Sequence, residues 1–502
     1  MERQFLEKGL ERANRAAEAE IVVLNTCTVT EGADKDARAS IRRLQRSNPG
    51  CQILVTGCYA QRAPEEIAAL PGVKWVVGNS HKHQAAEIVA SSSPFPAFVS
   101  LEQLQASGPR PKELSGADTS SPYPEVVVGD IFAHTELMAA PVFDAASERT
   151  RPNLKIQDGC DNRCSFCVIP YVRGQSRSMP SERVIAEIRA LVDAGYREVV
   201  ISGINLGRWG RDLPVVGRPS SGVGGLVSTS LELEAVTNAV GATIVPERLA
   251  TDDQRFVHLI RAILDQTPLA KLRISSVEPM DWSDELITLV AGSPRIANHA
   301  HVPMQSGSDA VLRRMHRKYR PWHYREKILK IRKAMPTAAI GADVMVGFPG
   351  ESEADFTETR NMVEELPFTY LHVFTYSARP GTPAAAQPGQ VPVRVARERN
   401  AILREIAASK KASFLQSLVG GDVEAITLQA SSSDFTEALT DNYLKIKIRG
   451  KLPANHWLKC SVLSIDGEKL VGVDATGEPP GLPESASKPG KLIDLQPVTP
   501  LR

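Results

Sequence analysis

The chain has 502 residues, enough for two to four domains with separate cores. Its 59 Lys and Arg residues offset 58 Asp and Glu residues, and the net charge of +1 excludes a global field that attracts nucleic acid. Seven cysteines in so long a chain argue against a disulfide scaffold, and five of them fall in three short motifs typical of metal chemistry. The sequence shows neither an apolar signal segment nor a bilayer-spanning stretch, so we expect a cytoplasmic protein with no membrane partner.

Residues 1–90 alternate between helix and strand patterns. Apolar runs at residues 21–24 and 52–56, with a third at residues 75–77, are typical of buried parallel strands. This order predicts a small doubly wound α/β domain.

Two cysteines follow the first two strands of this domain. Cys27 comes after the first run and Cys58 after the second, and ligands gather at the carboxyl ends of parallel strands. We therefore expect the two thiols to lie together. Cys51 precedes the second strand and should lie roughly 23 Å from Cys58 at about 3.3 Å per residue, so we interpret it as a bystander.

Residues 91–145 are rich in Ser, Pro and Ala and predict a linker with one strand pattern at residues 125–128. Residues 146–400 then repeat strand–helix units, which predict a parallel barrel whose strand-end loops share one face. An insertion at residues 211–255, rich in Gly, Ser and Val, is expected to be a surface loop.

The first loop of this barrel contains Cys160, Cys164 and Cys167 within eight residues. Three thiolates are one ligand too few for a closed tetrahedral zinc site. They can hold three irons of a [4Fe-4S] cluster and leave the fourth iron open to a small molecule. A zinc knuckle with a remote ligand and buried structural cysteines are the alternatives.

The surrounding segment KIQDGCDNRCSFCVIPYVRG resembles the radical S-adenosylmethionine (SAM) enzymes, and more narrowly their methylthiotransferase family. The resemblance implies a partial (β/α)6 barrel, a SAM-binding [4Fe-4S] cluster on the three cysteines, and an external electron donor of the flavodoxin or ferredoxin type. Residues placed by position at the top of the barrel are expected to bind SAM: Phe166, Ser202, Gly203, Ser276, Glu278, Gln305 and Asp343.

The N-terminal segments NTCTVT and VTGCYAQ resemble two of the three cysteine motifs that hold a second [4Fe-4S] cluster in this family. The resemblance implies that Cys27 and Cys58 are ligands of that cluster, which receives sulfur from a further source. The family's first cysteine precedes the opening helix, and this chain starts within that helix at Met1. A start assigned too late, a cluster held by two thiolates, and a lost cluster are the explanations.

Residues 401–475 carry short alternating strands that predict a small antiparallel β-barrel, which resembles the TRAM RNA-binding domain. Lys445 and Lys447 alternate on one strand and can share a face toward phosphate. A basic stretch is predicted to contact RNA through Arg313, Arg314, Arg317 and Lys318, or else to form a solvated helix face. Residues 476–502 are expected to be disordered.

Methylthiotransferases act on isopentenyladenosine in tRNA, on threonylcarbamoyladenosine in tRNA, or on a ribosomal-protein aspartate. The segments GINLGRWG and LHVFTYSARPGTPAA resemble the threonylcarbamoyladenosine branch. The isopentenyl branch has an Arg-Glu pair after NTC, where this chain has Val29 and Thr30. The resemblance implies a tRNA substrate modified beside the anticodon; the other two substrates, or a non-catalytic tRNA-binding protein, are the alternatives.

Overall fold

The N-terminal unit is a parallel four-stranded sheet in the order β1–β2–β3–β4, which confirms the predicted α/β class. The computed structural model describes residues 1–92, 124–133, 137, 150–214, 254–428 and 434–475. The strands of this unit are β1 (Ile21–Thr26), β2 (Gln52–Gly57), β3 (Val73–Gly78) and β4 (Glu125–Val127). Its helices are α1 (Glu2–Glu7), α2 (Glu31–Ser47), α3 (Cys58–Arg62), α4 (Pro64–Ala68) and α5 (Ala85–Ser92).

Strand β4 comes from the segment that we interpreted as a linker. Trp75 of β3 pairs with Glu125, and Val77 pairs with Val127. The N-terminal sheet therefore takes its fourth strand from beyond residue 90. Most of the remaining predicted linker lies outside the described residues.

The central unit contains six parallel strands in the order β5–β8–β9–β10–β11–β12, where two isolated bridges, Leu272 with Ile296 and Ser276 with His301, join the sheet β5–β8–β9 to the sheet β10–β11–β12. The partial barrel is thus confirmed. The strands are β5 (Asn153–Lys155), β6 (Gln157–Asp158), β7 (Arg177–Ser178), β8 (Glu198–Ser202), β9 (Lys271–Ile274), β10 (His299–His301), β11 (Ala339–Val346) and β12 (Tyr370–Thr375). The helices are α6 (Ile169–Arg173), α7 (Ser181–Asp193), α8 (Arg255–Gln266), α9 (Asp284–Gly292), α10 (Asp309–Arg314), α11 (Pro321–Ala334), α12 (Glu353–Glu365) and α13 (Val393–Ser417).

Amphipathic helices cover the outside of this barrel. Helix α7 buries Val184, Ile188 and Leu191, which recur at three- and four-residue spacing and pack into the same core as the strands. Ser352 caps α12 by accepting the Asp355 N–H, while the Asp355 side chain accepts the Ser352 N–H.

The C-terminal unit is a closed five-stranded barrel in the order β13–β14–β15–β17–β16. Its strands are β13 (Asp422–Thr427), β14 (Phe435–Thr440), β15 (Lys445–Arg449), β16 (Trp457–Asp466) and β17 (Lys469–Asp474). The predicted small barrel is therefore confirmed, except that β15 and β17 pair in parallel, and β14 is a strand that the alternation pattern did not indicate. Across the described residues, no helix has the length and apolar character needed to cross a membrane.

Gly341 is required by packing inside the central barrel. A Cβ at this position would overlap the ring of Tyr370 on the neighbouring strand. We predict that Gly341→Ala lowers the free energy of unfolding by about 1–3 kcal/mol, the usual range for overpacking. Chemical denaturation measures this change. Gly292→Ala is the control because no atom lies within 4 Å of its added Cβ, and equal loss in both variants would contradict the prediction.

Candidate iron–sulfur and cofactor site

The cysteine loop is closed at its base by the antiparallel pair β6 and β7. The Cys160 N–H donates to the Gly174 carbonyl at 3.1 Å, and the Cys167 N–H donates to the Cys164 carbonyl at 3.1 Å. Gly159 has a φ of +71°, and a Cβ there would overlap the Gln175 carbonyl oxygen. The Asp-Gly-Cys sequence is thus needed for the chain to enter the loop at this angle.

Buried Gln157 fastens this loop to its neighbour on the barrel. Its side-chain amide donates to the Gly159 carbonyl at 2.9 Å and to Ser176 Oγ at 3.0 Å, and its oxygen accepts the Asn205 N–H at 2.8 Å. Gly203 leaves space for this side chain. Sequence reasoning missed Gln157, although its position immediately before the cysteine loop was the available signal.

Two polar side chains from distant segments point N–H groups at the cysteine sulfurs. Arg317 Nη1 lies 3.4 Å from Cys164 Sγ, and Asn205 Nδ2 lies 3.9 Å from Cys160 Sγ. The same Arg317 guanidinium forms an ion pair with Glu278 and lies 5.0 Å from the centre of the Tyr319 ring. Donors of this kind stabilise negative charge on sulfur, which suits thiolates that ligate a cluster.

Burial raises the pKa of the Cys160 thiol, and it raises the pKa of Cys167 to about 12. Both groups are therefore protonated at neutral pH unless a bound cation displaces the proton. Among the described residues, the three cysteine sulfurs do not all lie within 4.8 Å of one another. The side chains whose ligand atoms do lie that close are His301, Asp343 and His372. One tetrahedral zinc ion, with Zn–S bonds of about 2.3 Å, needs sulfurs about 3.8 Å apart. The three sulfurs are therefore not arranged for one zinc ion.

The other residues predicted to bind SAM lie on the strand ends and loops around this loop. Glu278 lines a cavity that also contacts Cys164 and Arg317. Gln305 adopts a φ of 61° and its N–H donates to the Asp343 carbonyl at 2.8 Å. Ser276 pairs with His301 in a parallel bridge.

The aromatic and remaining polar candidates have partners within the barrel. Phe166 packs edge-on against Phe348 with ring centres 6.3 Å apart. Ser202 donates a hydrogen bond to Asn153. The Asp343 carboxylate lies 3.4 Å from Nε2 of His301, a histidine of the neighbouring strand.

The burial of Arg317 contradicts its predicted role as an RNA contact. Its residue is 8% exposed, and its charge is engaged by Glu278 beside the cysteine loop. Phosphate could not reach this guanidinium without displacing Glu278. Arg313 and Lys318 are exposed, and half-buried Arg314 donates to the Gly350 carbonyl at 3.0 Å.

The two N-terminal cysteines leave adjacent strands at one end of the sheet. Thr26 pairs with Gly57, so Cys27 and Cys58 follow paired residues, whereas buried Cys51 precedes β2 at the opposite end. This agrees with the expected grouping.

Cys58 is linked to the cysteine loop by Arg173, another residue that sequence reasoning missed. Arg173 Nε donates to Cys58 Sγ at 3.2 Å, and its Nη1 lies 3.2 Å from Asp158, two residues before Cys160. Asn79 Nδ2 also donates to Cys58 Sγ at 3.4 Å. Burial, followed by the charge of Arg173, lowers the pKa of nearby Lys82 to about 8. The N-terminal thiol site is thus electropositive and adjoins the barrel site.

A buried ionic network joins the Cys27 loop to the last barrel loop. Asp34 pairs with Arg62 at 2.9 Å and with Arg379, and both arginines also donate to Thr28 Oγ1. Arg379 belongs to the segment LHVFTYSARPGTPAA, which begins within β12 and continues beyond it. This segment, which resembles the threonylcarbamoyladenosine branch, therefore also joins the central unit to the N-terminal unit.

Comparisons with known proteins agree with this geometry. The profile described as "Uncharacterized protein family UPF0004" matches residues 1–78, and the Radical SAM superfamily profile matches residues 154–209 and 244–363. A threonylcarbamoyladenosine tRNA methylthiotransferase of Bacillus subtilis is 35% identical over 89% of this chain and 86% of its own length. The chain belongs to the radical SAM methylthiotransferase family.

Relatives in this family have two kinds of name. The Aquifex aeolicus threonylcarbamoyladenosine tRNA methylthiotransferase is 32% identical over 90% of this chain and 92% of its own length. A tRNA-2-methylthio-N(6)-dimethylallyladenosine synthase of Sorangium cellulosum is 33% identical over 83% of this chain and 76% of its own length. The similarity to methylthiotransferases of both kinds thus extends over most of this chain.

Arg317 gives a prediction specific to the cysteine loop. We predict that Arg317→Ala lowers the free energy of unfolding by about 1.5–3 kcal/mol, because a charged hydrogen-bonding partner of Glu278 and Cys164 is removed. Less iron per chain should survive gel filtration after reconstitution. Arg317→Lys should restore part of the iron because it keeps the charge. Lys318→Ala is the exposed control, and iron retention in Arg317→Ala equal to that control would contradict the assignment.

Proposed function

We propose that this methylthiotransferase converts N6-threonylcarbamoyladenosine beside the tRNA anticodon to its 2-methylthio derivative. The observation that carries the proposal is the loop of Cys160, Cys164 and Cys167, set at the mouth of a parallel barrel with N–H donors behind two of its sulfurs. The similarity to relatives named for this modification supports the choice of substrate. The nucleotide lies in a loop where it is already unpaired, so the base can be reached at lower cost than in a duplex.

The three thiolates would hold a [4Fe-4S] cluster, and when bound it would supply the electron that cleaves SAM. Arg317 and Asn205 stabilise the negative charge on the sulfurs. Gln157 keeps the cysteine loop and the Asn205 loop in fixed relation. Cys160 is buried and Cys167 is half-buried, which limits the access of water to the site.

A second [4Fe-4S] cluster is proposed at Cys27 and Cys58. The support is their common position at the ends of β1 and β2, together with two N–H donors to Cys58 Sγ. Arg173 places this site beside the barrel loop, so sulfur carried there would be close to the substrate carbon. The reaction also requires an external electron donor of the flavodoxin or ferredoxin type and a sulfur source.

A second candidate substrate is dimethylallyladenosine (isopentenyladenosine) in tRNA, because relatives named for that product are 33% identical to this chain. The two tRNAs differ in the group attached to N6 of the adenosine. Incubating the reconstituted enzyme with each tRNA, SAM and a reductant, followed by mass spectrometry of the nucleosides, decides between them. A methylthio product only on the dimethylallyl tRNA would overturn the proposed substrate.

Each cysteine of the barrel loop should be indispensable. We predict that Cys160→Ala, Cys164→Ala and Cys167→Ala each reduce SAM cleavage at least a hundredfold, because loss of one ligand frees a second iron and the cluster no longer presents a single open iron to SAM. Release of 5′-deoxyadenosine under a strong reductant measures this. Cys460→Ala, in the buried core of the C-terminal barrel, is the control. Zinc uptake with no SAM cleavage by the unmodified protein would refute the proposed chemistry.

The C-terminal barrel is proposed to bind the tRNA backbone. On β15, Lys445 and Arg449 are exposed and Lys447 is half-buried, while Ile446 and Ile448 point into the core. Alternation thus places the three basic residues on the outer face. Lys447 is also paired with Asp466 at 2.6 Å.

We predict that Lys445→Ala weakens tRNA binding at all sequences alike and reduces the slope of log affinity against log salt by about 1, as loss of one phosphate contact should. Fluorescence anisotropy at several salt concentrations measures the slope. Lys459→Ala on β16, a residue paired with Asp422 at 2.8 Å, is the matched control. Identical slopes for the two variants would place the RNA elsewhere.

A further inference from the structure

The inner wall of the central barrel carries a second set of ligand-type side chains, separate from the cysteines. His301 ends β10, Asp343 lies within β11, and His372 lies within β12. These are three adjacent parallel strands, in which His301 pairs with Gly341 and Asp343 pairs with His372. One ligand atom from each side chain lies within 4.8 Å of the other two.

Aromatic packing holds this trio in place. The Tyr370 ring stacks on His301 with centres 6.0 Å apart, and its hydroxyl lies 2.7 Å from His299 Nε2. Gly341 makes room for the Tyr370 ring between the two strands that carry His301 and His372. The three ligand positions are thus set by strands and a packed wall, which is the support that a metal site needs.

The nitrogen nearest the carboxylate lacks a hydrogen bond. His301 Nε2 is buried and, among the described residues, makes no hydrogen bond, although it lies 3.4 Å from Asp343 Oδ1. A simple His–Asp pair would turn the imidazole N–H onto the carboxylate and satisfy both groups. The His301 and His372 rings are instead 5.6 Å apart at an angle of 49°, and their available nitrogens converge on the same carboxylate.

We propose that His301, Asp343 and His372 bind one divalent transition-metal ion of the zinc or iron(II) class. Two imidazoles and one carboxylate are a donor set that such ions prefer, and three protein ligands leave positions open for water or an oxygen ligand. The set contains no sulfur, so it differs in kind from the cysteine loop. Asp343 then serves this ion through its carboxylate, in place of the SAM contact expected from its position.

Zinc is the probe that separates this site from the iron–sulfur chemistry. The untagged full chain, reconstituted with iron and sulfide under anaerobic conditions, is dialysed against low-micromolar Zn²⁺ and its zinc and iron are counted by mass spectrometry. We expect one zinc per chain in the unmodified protein and at least a tenfold weaker affinity in Asp343→Asn and in His301→Ala/His372→Ala. The double variant His258→Ala/His323→Ala, with both histidines on helices outside the barrel, should keep the zinc.

X-ray absorption spectroscopy at the zinc edge identifies the zinc ligands in the unmodified protein, so this test needs no variant. Nitrogen and oxygen neighbours at about 2.0–2.1 Å with no sulfur shell support the site. A sulfur shell at about 2.3 Å would place zinc on the cysteines and overturn the proposal. Failure of the unmodified protein to retain zinc, or equal zinc in the trio variants, would overturn it as well. An intact iron count and SAM cleavage would show that the proposed enzymatic function survives such a result.

Discussion

Negative charge on sulfur, held in a partly buried loop, is the constraint on which the rest of this structure depends. Burial raises the pKa of the Cys160 and Cys167 thiols, so forming their thiolates requires compensating charge or hydrogen bonds. Arg317 and Asn205, brought from the loops after α10 and β8, supply the compensating N–H groups. The barrel is thus the scaffold that carries these donors to the cysteine loop, and the loop can act only when the barrel is closed around it.

The same requirement explains how the N-terminal unit is attached. Arg173 lies just beyond the cysteine loop and shares its guanidinium between Asp158 and Cys58 Sγ, so one side chain serves both thiol sites. Arg379 makes a second attachment through buried Asp34, and removal of one partner of such a pair typically costs ~3–5 kcal/mol. Two arginines of the central unit therefore fix the Cys27 and Cys58 loops against the barrel mouth.

Sequence patterns predicted the features of the structure that depend on residues close together in the chain. The cysteine loop, the succession of strands and helices, and the alternation of Lys445 and Lys447 follow from spacing along the chain. Strand β14 was missed because its inward positions include Thr436, a polar residue satisfied by the Gly450 carbonyl at 2.8 Å, so the apolar alternation is broken. Arg317 was assigned to a basic surface because its pairing with Glu278, which is distant along the chain, cannot be read from the local sequence. His301, Asp343 and His372 meet only through strand register, which no single segment reveals.

The C-terminal unit packs against the lower end of the central barrel. Buried Arg273 pairs with Glu198 at 2.6 Å inside the barrel and donates to the Asp441 carbonyl of the C-terminal unit at 2.9 Å. Its guanidinium also lies 5.3 Å from the Tyr443 ring centre, and that ring packs against His299 at 5.2 Å. His299 in turn bonds Tyr370, the residue that supports the His301 trio. Packed side chains therefore run without interruption from the C-terminal barrel to the inner wall of the central one, so each barrel supports the packing of the other.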